Sequence, residues 1–171
     1  MKRQVALLRG VNLGKRQVVM SELRSVIEAA GYGDVKTLLA SGNVILNASE
    51  AGAKLEAKLE KAILDGLGLQ TDVHVRDAGQ IDVLIAGNPF KAFAKSNPTL
   101  MVAYVMRAPA NKAEWAAIEA SASREEARQG ENCLYIKYPD GQGRSKLKLP
   151  KLGTARNWNT MLKLAAAVRS D

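Results

Sequence analysis

The spacing of apolar residues changes several times along the chain, and each change marks an element. Residues 5–8 form an unbroken apolar run, as in a central strand buried on both faces. A glycine-bearing loop over residues 9–16 follows. Leu23, Val26, Ile27 and Ala30 then recur at helical spacing, and Gly31 can end that helix. Residues 35–39 and 43–46 read as short strands joined by Ala40-Ser41-Gly42, a hairpin signal. Ser49 is placed to cap a helix whose Leu55, Leu59, Ile63 and Leu67 line one face, with Gly66 and Gly68 closing it. Over residues 71–76, Val73 and Val75 point inward, which sends His74 outward.

The second stretch repeats this order. A short helix from Asp77 to Ala86 stops before Asn88-Pro89-Phe90. Residues 100–105 predict a strand, and residues 112–122 a helix with Trp115 and Ile118 inward. Residues 132–138 and 144–149 predict a strand pair around the turn at 139–143. A last helix from about Ala155 carries Trp158, Met161, Leu162, Ala165 and Val168 as its apolar stripe. The fold class is α+β: two ferredoxin-like (βαββα-type) halves with antiparallel sheets, related by duplication. The halves span residues 1–76 and 99–171, joined by a helix and loop at 77–98. A right-handed crossover makes the first two strands parallel, so the loop at 9–16 and the hairpin tip at 40–42 should be neighbours.

Composition narrows the function classes. No apolar run is long enough to span a bilayer, and residues 5–8 are too short for the core of a signal peptide. A single cysteine, Cys133, cannot form an internal disulfide and fits a reducing, cytoplasmic setting with no membrane partner. The net charge of +8 is unevenly distributed. Residues 1–20 carry five cations and no acid, and residues 133–171 carry eight cations against Asp140 and Asp171, so residues 21–132 are net acidic. The polar motifs lie in the two basic ends, which points to an anionic ligand, with nucleic acid among the candidates.

Four segments could carry that chemistry. The loop Arg9-Gly10-Val11-Asn12-Leu13-Gly14-Lys15 could bring main-chain N–H groups close to an anion, or could be a plain strand-to-helix turn. It is not a P-loop: three residues separate its glycines, and Arg16 follows the lysine. Ser41-Gly42-Asn43 fits a tight hairpin equally well. Arg144, Lys146 and Lys148 share one face of an extended segment, suited to phosphates or to protecting a sheet edge. Thr154 can cap the last helix, and Arg156 in its first turn would be favourable only beside an anion. Catalytic candidates are few. His74 lies in none of these segments, Cys133 reads as a small core residue, and Asp140 is the one acid near a candidate motif.

The segments LLRGVNLGK, MSELRSVIEAAGY, ASGNVIL, NPF, YPDGQGRSKL and TARNWNTMLKL resemble, in order, the bacterial domain-of-unknown-function family numbered 1697. That family's motifs run along the lines of LLRGINVGGK, SGNVVF, NPF, YPDGIGRSKL and TTRNWNTV. The resemblance marks Arg9, Gly10, Asn12, Ser41, Gly42, Asn43, Ser145, Lys146, Arg156, Asn157 and Trp158 as family-characteristic and implies no activity. The chain departs from the pattern at its first loop, which is one residue short at Gly14, and at Ala155, where threonine is common.

The expected function is non-catalytic binding of an anionic ligand: nucleic acid, a nucleotide or another phosphorylated molecule. Its site would comprise Arg9, Asn12, Lys15, Ser41, Asn43, Ser145, Lys146, Arg156 and Asn157, with no metal or cofactor. The two basic ends are expected to meet there. An enzyme acting on a phosphorylated or carboxylated small molecule, using Asp140, Ser41 or Tyr138, is the alternative, and a structural or assembly role is a third.

Overall fold

The computed structural model describes residues 1–12 and 17–170. The chain forms two units, Met1–Asp82 with Leu164–Asp171, and Val83–Lys163.

In the first unit the order is β1 (Lys2–Leu8), α1 (Met20–Ala29), β2 (Gly33–Leu38), β3 (Asn43–Ala48), α2 (Gly52–Leu67) and β4 (Val73–Asp77). The strands pair antiparallel in the order β2-β3-β1-β4. Ala6, Leu8, Val44, Leu46, Val73 and Val75 pack against Leu23 and Ile27 of α1 and Leu55, Leu59 and Ile63 of α2. Burying each of the larger side chains contributes about 1.5–3 kcal/mol. Val5 and Leu7 are as buried as their neighbours, so β1 is covered on both faces, as its unbroken apolar run requires.

Two expectations in this unit need correction. His74 stands opposite Leu7 in the sheet and is 0% exposed. Alternation gave its face correctly, but that face is buried rather than solvated. Helix α2 starts after Ala51, with no side-chain cap, and Ser49 instead reaches Glu50. The outer edge of β4 is blunted by α2: Glu60 and Glu56 accept the main-chain N–H groups of Val73 and Val75, both at 3.0 Å.

Helix α3 (Ala78–Ala86) leads into the second unit. There the order is α4 (Lys91–Ser96), β5 (Met101–Met106), α5 (Lys112–Ser121), β6 (Glu126–Gly130), β7 (Cys133–Lys137), a 3-10 turn (Gln142–Arg144), β8 (Gly153–Asn157) and the start of α6 (Trp158–Arg169), whose residues from Leu164 on belong to the first unit. The sheet order is β6-β7-β5-β8, the same permutation as in the first unit. The protein is α+β, with two four-stranded antiparallel sheets in a duplicated ferredoxin-like arrangement.

The strand partners differ from the sequence-based expectation. The hairpin partner of β7 is β6, while residues 145–150 run extended outside the ladders. Leu147 and Leu149 still pack inward and Lys146 and Lys148 outward, so the period-two pattern was real. Pairing failed because both neighbours of β7 are already strands, β5 and β6. The N–H groups of Leu147 and Lys148 go to the hydroxyls of Ser145 and Ser121 instead, at 3.1 and 2.8 Å. Residues Gly153–Asn157, expected at the helix start, form edge strand β8 against β5.

Two tyrosines on opposite faces of this sheet hold the segments outside the ladders. Tyr104 donates its hydroxyl to the carbonyl of Pro150, and Tyr135 donates to that of Leu84 at 2.5 Å. Burial raises the pKa of Tyr135 above its ordinary value, so the phenol stays a donor. Room for each ring comes from glycine. A Cβ on Gly153 would lie 2.3 Å from the Tyr104 ring, and one on Gly130 would lie 2.4 Å from the Tyr135 ring. Gly153→Ala is therefore expected to cost about 1–3 kcal/mol through overpacking, lowering Tm by about 2–4 °C per kcal/mol. Thermal unfolding followed by circular dichroism checks this, and an unchanged Tm would contradict the close packing of Gly153 on Tyr104.

Candidate functional site

The motif side chains of the first unit mostly hold main chain. Asn12, at φ 56, donates Nδ2 to the carbonyls of Ala40 (2.6 Å) and Val18 (3.2 Å) and accepts the Val18 N–H at 2.6 Å. The N–H of Leu8 reaches the Gly42 carbonyl at 2.9 Å. The first loop and the hairpin tip therefore adjoin, as connectivity required. Asn43 is buried and donates to the Leu38 carbonyl and the Ser41 hydroxyl, both at 2.8 Å, which fixes the hairpin. Arg9 faces Asp72 across 3.4 Å, and Thr71 donates to the Arg9 carbonyl at 2.7 Å. An anion approaching Arg9 would meet that carboxylate. Lys15 lies outside the described residues.

The second-unit candidates divide between the faces of its sheet. Ser145 donates to Glu125 at 2.6 Å, which holds that carboxyl below its usual range. Lys146 is exposed on the segment whose Leu147 and Leu149 pack on the Val102–Tyr104–Leu134 face. Arg156 lies on the other face, opposite Ala103 in β5. It is only 6% exposed and donates to the Thr154 hydroxyl (2.6 Å) and the Ala155 carbonyl (2.9 Å). Burial lowers its pKa to about 10, so it remains a cation at neutral pH. Asn157 accepts the Thr160 N–H at 3.0 Å and caps α6, the role expected of Thr154. Asp140 pairs with Arg124 at 2.5 Å, and Tyr138 is buried.

A different constellation in the second unit has spare donors. A cavity of about 550 Å³ is lined by Asn88, Lys91, Lys95, Pro98, Trp158 and Asn159, with Ile85, Ala86, Ala94 and Leu162 completing its wall. Lys91 and Lys95 project from one face of α4, four residues apart, and both are exposed. Among the described residues the lining contains no acid. Asn88 is 2% exposed; its Oδ1 accepts the Phe90 N–H at 2.9 Å, which fixes the amide orientation. Among the described residues nothing accepts from its Nδ2, an arrangement that costs about 1–3 kcal/mol when the donor is left buried. The start of α6 completes the site. Its N-terminal dipole end favours negative charge, and its Trp158 N–H is held by the Pro98 carbonyl at 3.1 Å.

The NPF and RNWNT segments thus adjoin. The sequence marks Asn88-Pro89-Phe90 as a helix stop and as part of the family resemblance, but Lys91 and Lys95 were missed. The signal available was their spacing of four directly after that stop.

A family model described as "Protein of unknown function (DUF1697)" matches residues 1–135. The chain belongs to the DUF1697 family. Among solved structures this DUF1697 chain is similar to the conserved bacterial protein SP0830 from Streptococcus pneumoniae, at 21% identity and a TM-score of 0.78 over 99% of each chain. That likeness establishes the fold. No curated protein matches the chain. Within the DUF1697 match lie Asn88, Lys91 and Lys95, while Trp158 and Asn159 fall beyond it. Among the described residues no helix is long and apolar enough to cross a membrane, and no group of three or more His, Cys, Asp or Glu could hold a metal ion.

The bonding pattern separates structural from spare motif residues. Asn12→Ala is expected to destabilise by about 1–3 kcal/mol, since it strips hydrogen bonds from partly buried main chain. Exposed Lys146→Ala should stay within about 0.5 kcal/mol of the parent. Urea denaturation of both variants makes the comparison, and equal midpoints would refute the clamp assigned to Asn12.

Proposed function

We propose that the protein binds a small anionic molecule carrying a phosphate or carboxylate, in the cavity between Asn88–Lys95 and the start of α6. The observation that carries this reading is the lining itself: two exposed ammonium groups and a buried amide donor, with neither an acceptor for that amide nor an acid among the described residues. An oxyanion would satisfy all three donors with charge-assisted hydrogen bonds, while Trp158, Leu162 and Pro98 offer apolar surface to the rest of the molecule. Among the described residues the lining also lacks carboxylate, imidazole and thiol, which supports binding over acid–base turnover. A phosphorylated small molecule suits a concave site of this size better than nucleic acid does, because backbone tracking needs an extended cationic groove.

Trp158 provides a readout, since the chain has only two tryptophans. In a Trp115→Phe background, inorganic phosphate and a nucleoside monophosphate are expected to change Trp158 fluorescence, whereas the unphosphorylated nucleoside is not. Lys91→Ala with Lys95→Ala should raise Kd by about tenfold or more, the scale of a lost charged hydrogen bond. Undiminished phosphate binding by the double variant would refute the site. Tighter binding of single-stranded DNA with a steep salt dependence would favour the nucleic-acid reading instead.

A further inference from the structure

A second cavity in the same unit, of about 760 Å³, lies beside the first turns of α5 and the segment leading into β8. Its apolar lining includes Met106, Ala113, Ala117, Leu149, Pro150 and Leu152. Met106 and Pro150 are buried, whereas Leu152 is 62% exposed and forms one lip. Three cations, Arg107, Lys148 and Lys151, also border it. The single acid among the described lining residues, Glu114, accepts the Asn111 N–H at 3.0 Å in the α5 capping box and is held at the helix start.

An apolar floor with a cationic rim is complementary to one kind of small molecule. From this geometry we infer that the cavity binds an amphiphile with an apolar chain and a single carboxylate head, a medium-chain fatty acid being the simplest form. The chain would cover Leu149, Leu152 and the alanine face of α5, and the head would lie among Arg107, Lys148 and Lys151. The volume is that of a pocket for one small ligand. A bound protein segment is disfavoured because stable protein interfaces occupy a much larger patch than one such concavity. The wall is also fixed in place. Tyr104 fixes the Pro150 carbonyl, and the Lys148 N–H is tied to Ser121 at the end of α5 at 2.8 Å, so the segment that forms this wall is anchored at two points.

Isothermal titration with hexanoate, octanoate and decanoate, each below its micellar concentration, tests the inference. One site per chain is expected, with Kd falling about threefold to fourfold per added methylene as apolar surface is buried. Decyltrimethylammonium and decanol should bind at least about tenfold more weakly, because the rim selects negative charge. Ala113→Trp, which fills the cavity from a helix surface, should abolish decanoate binding. Lys148→Ala with Lys151→Ala, both exposed positions, should raise its Kd about tenfold. Lys91→Ala with Lys95→Ala should leave it unchanged, which separates this cavity from the phosphate site. Equal affinity for decanol and decanoate, no dependence on chain length, or unaltered binding by a folded Ala113→Trp variant would each overturn the proposal. So would an acidic apolar peptide that binds this surface when decanoate does not.

Discussion

Two phenol-to-carbonyl hydrogen bonds tie down main chain that borders both cavities of the second unit. Tyr104 and Tyr135 project from opposite faces of the β6-β7-β5-β8 sheet, and each captures main chain that no strand ladder holds. A carbonyl outside a ladder needs a partner wherever water is excluded. Tyr104 supplies one for the segment before β8, and Tyr135 supplies one for the end of α3. The two cavities are lined by these two tethered stretches, one containing Pro150 and the other running on from Ile85. Glycine completes the arrangement, since Gly153 and Gly130 sit where a methyl group would strike the rings. Sheet, tyrosine, glycine and segment therefore form one steric unit on each face.

The same accounting explains why so many polar motif residues are already engaged. Asn12, Asn43, Ser145 and Asn157 all bond to main chain, and Ser145 also binds Glu125. Each replaces a ladder or helix bond at a place where secondary structure ends. Cations are dispersed in the same way. Arg156 is buried, Lys137 stacks over Phe90 and Phe93 at 5.0 and 5.1 Å, and Arg169 pairs with Asp82. The basic C-terminal stretch is thus not one patch. Its cations play separate roles, which net charge could not reveal.

Much of the first unit was legible because its signals agree. The apolar run of β1, the helical spacing of Leu23 and Ile27, and the hairpin at Ser41-Gly42 all point to the same topology. The second unit was harder for identifiable reasons. Strand β6 reads Glu-Ala-Arg-Gln-Gly, an edge strand with only Ala127 packed against the core, so periodicity carried little signal. Thr154 and Asn157 are both competent caps. Only the ladder of β8 with β5 decides between them, and that pairing is a non-local event. Residues 145–149 imitate a strand because Leu147 and Leu149 pack inward, although no ladder position is available beside β7. The cavity at Asn88 left only the spacing of Lys91 and Lys95 as a signal, since it joins residues some seventy positions apart along the chain.

The duplicated units differ where the second lacks a helix between its last two strands, and the apolar cavity lies beside the segment that replaces it. Between β3 and β4 the first unit places α2, whose Leu55, Leu59 and Ile63 cover the sheet beside α1. Between β7 and β8 the second unit has only a 3-10 turn and an extended segment. A helix with its side chains is about 10–12 Å across, whereas a strand occupies about 4.8 Å of sheet width. Leu147 and Leu149 therefore cover less surface than a helix would, and α5 cannot cover the rest alone. The exchange of α2 for an extended, lysine-bearing segment leaves a space in the second unit with apolar walls and a cationic rim.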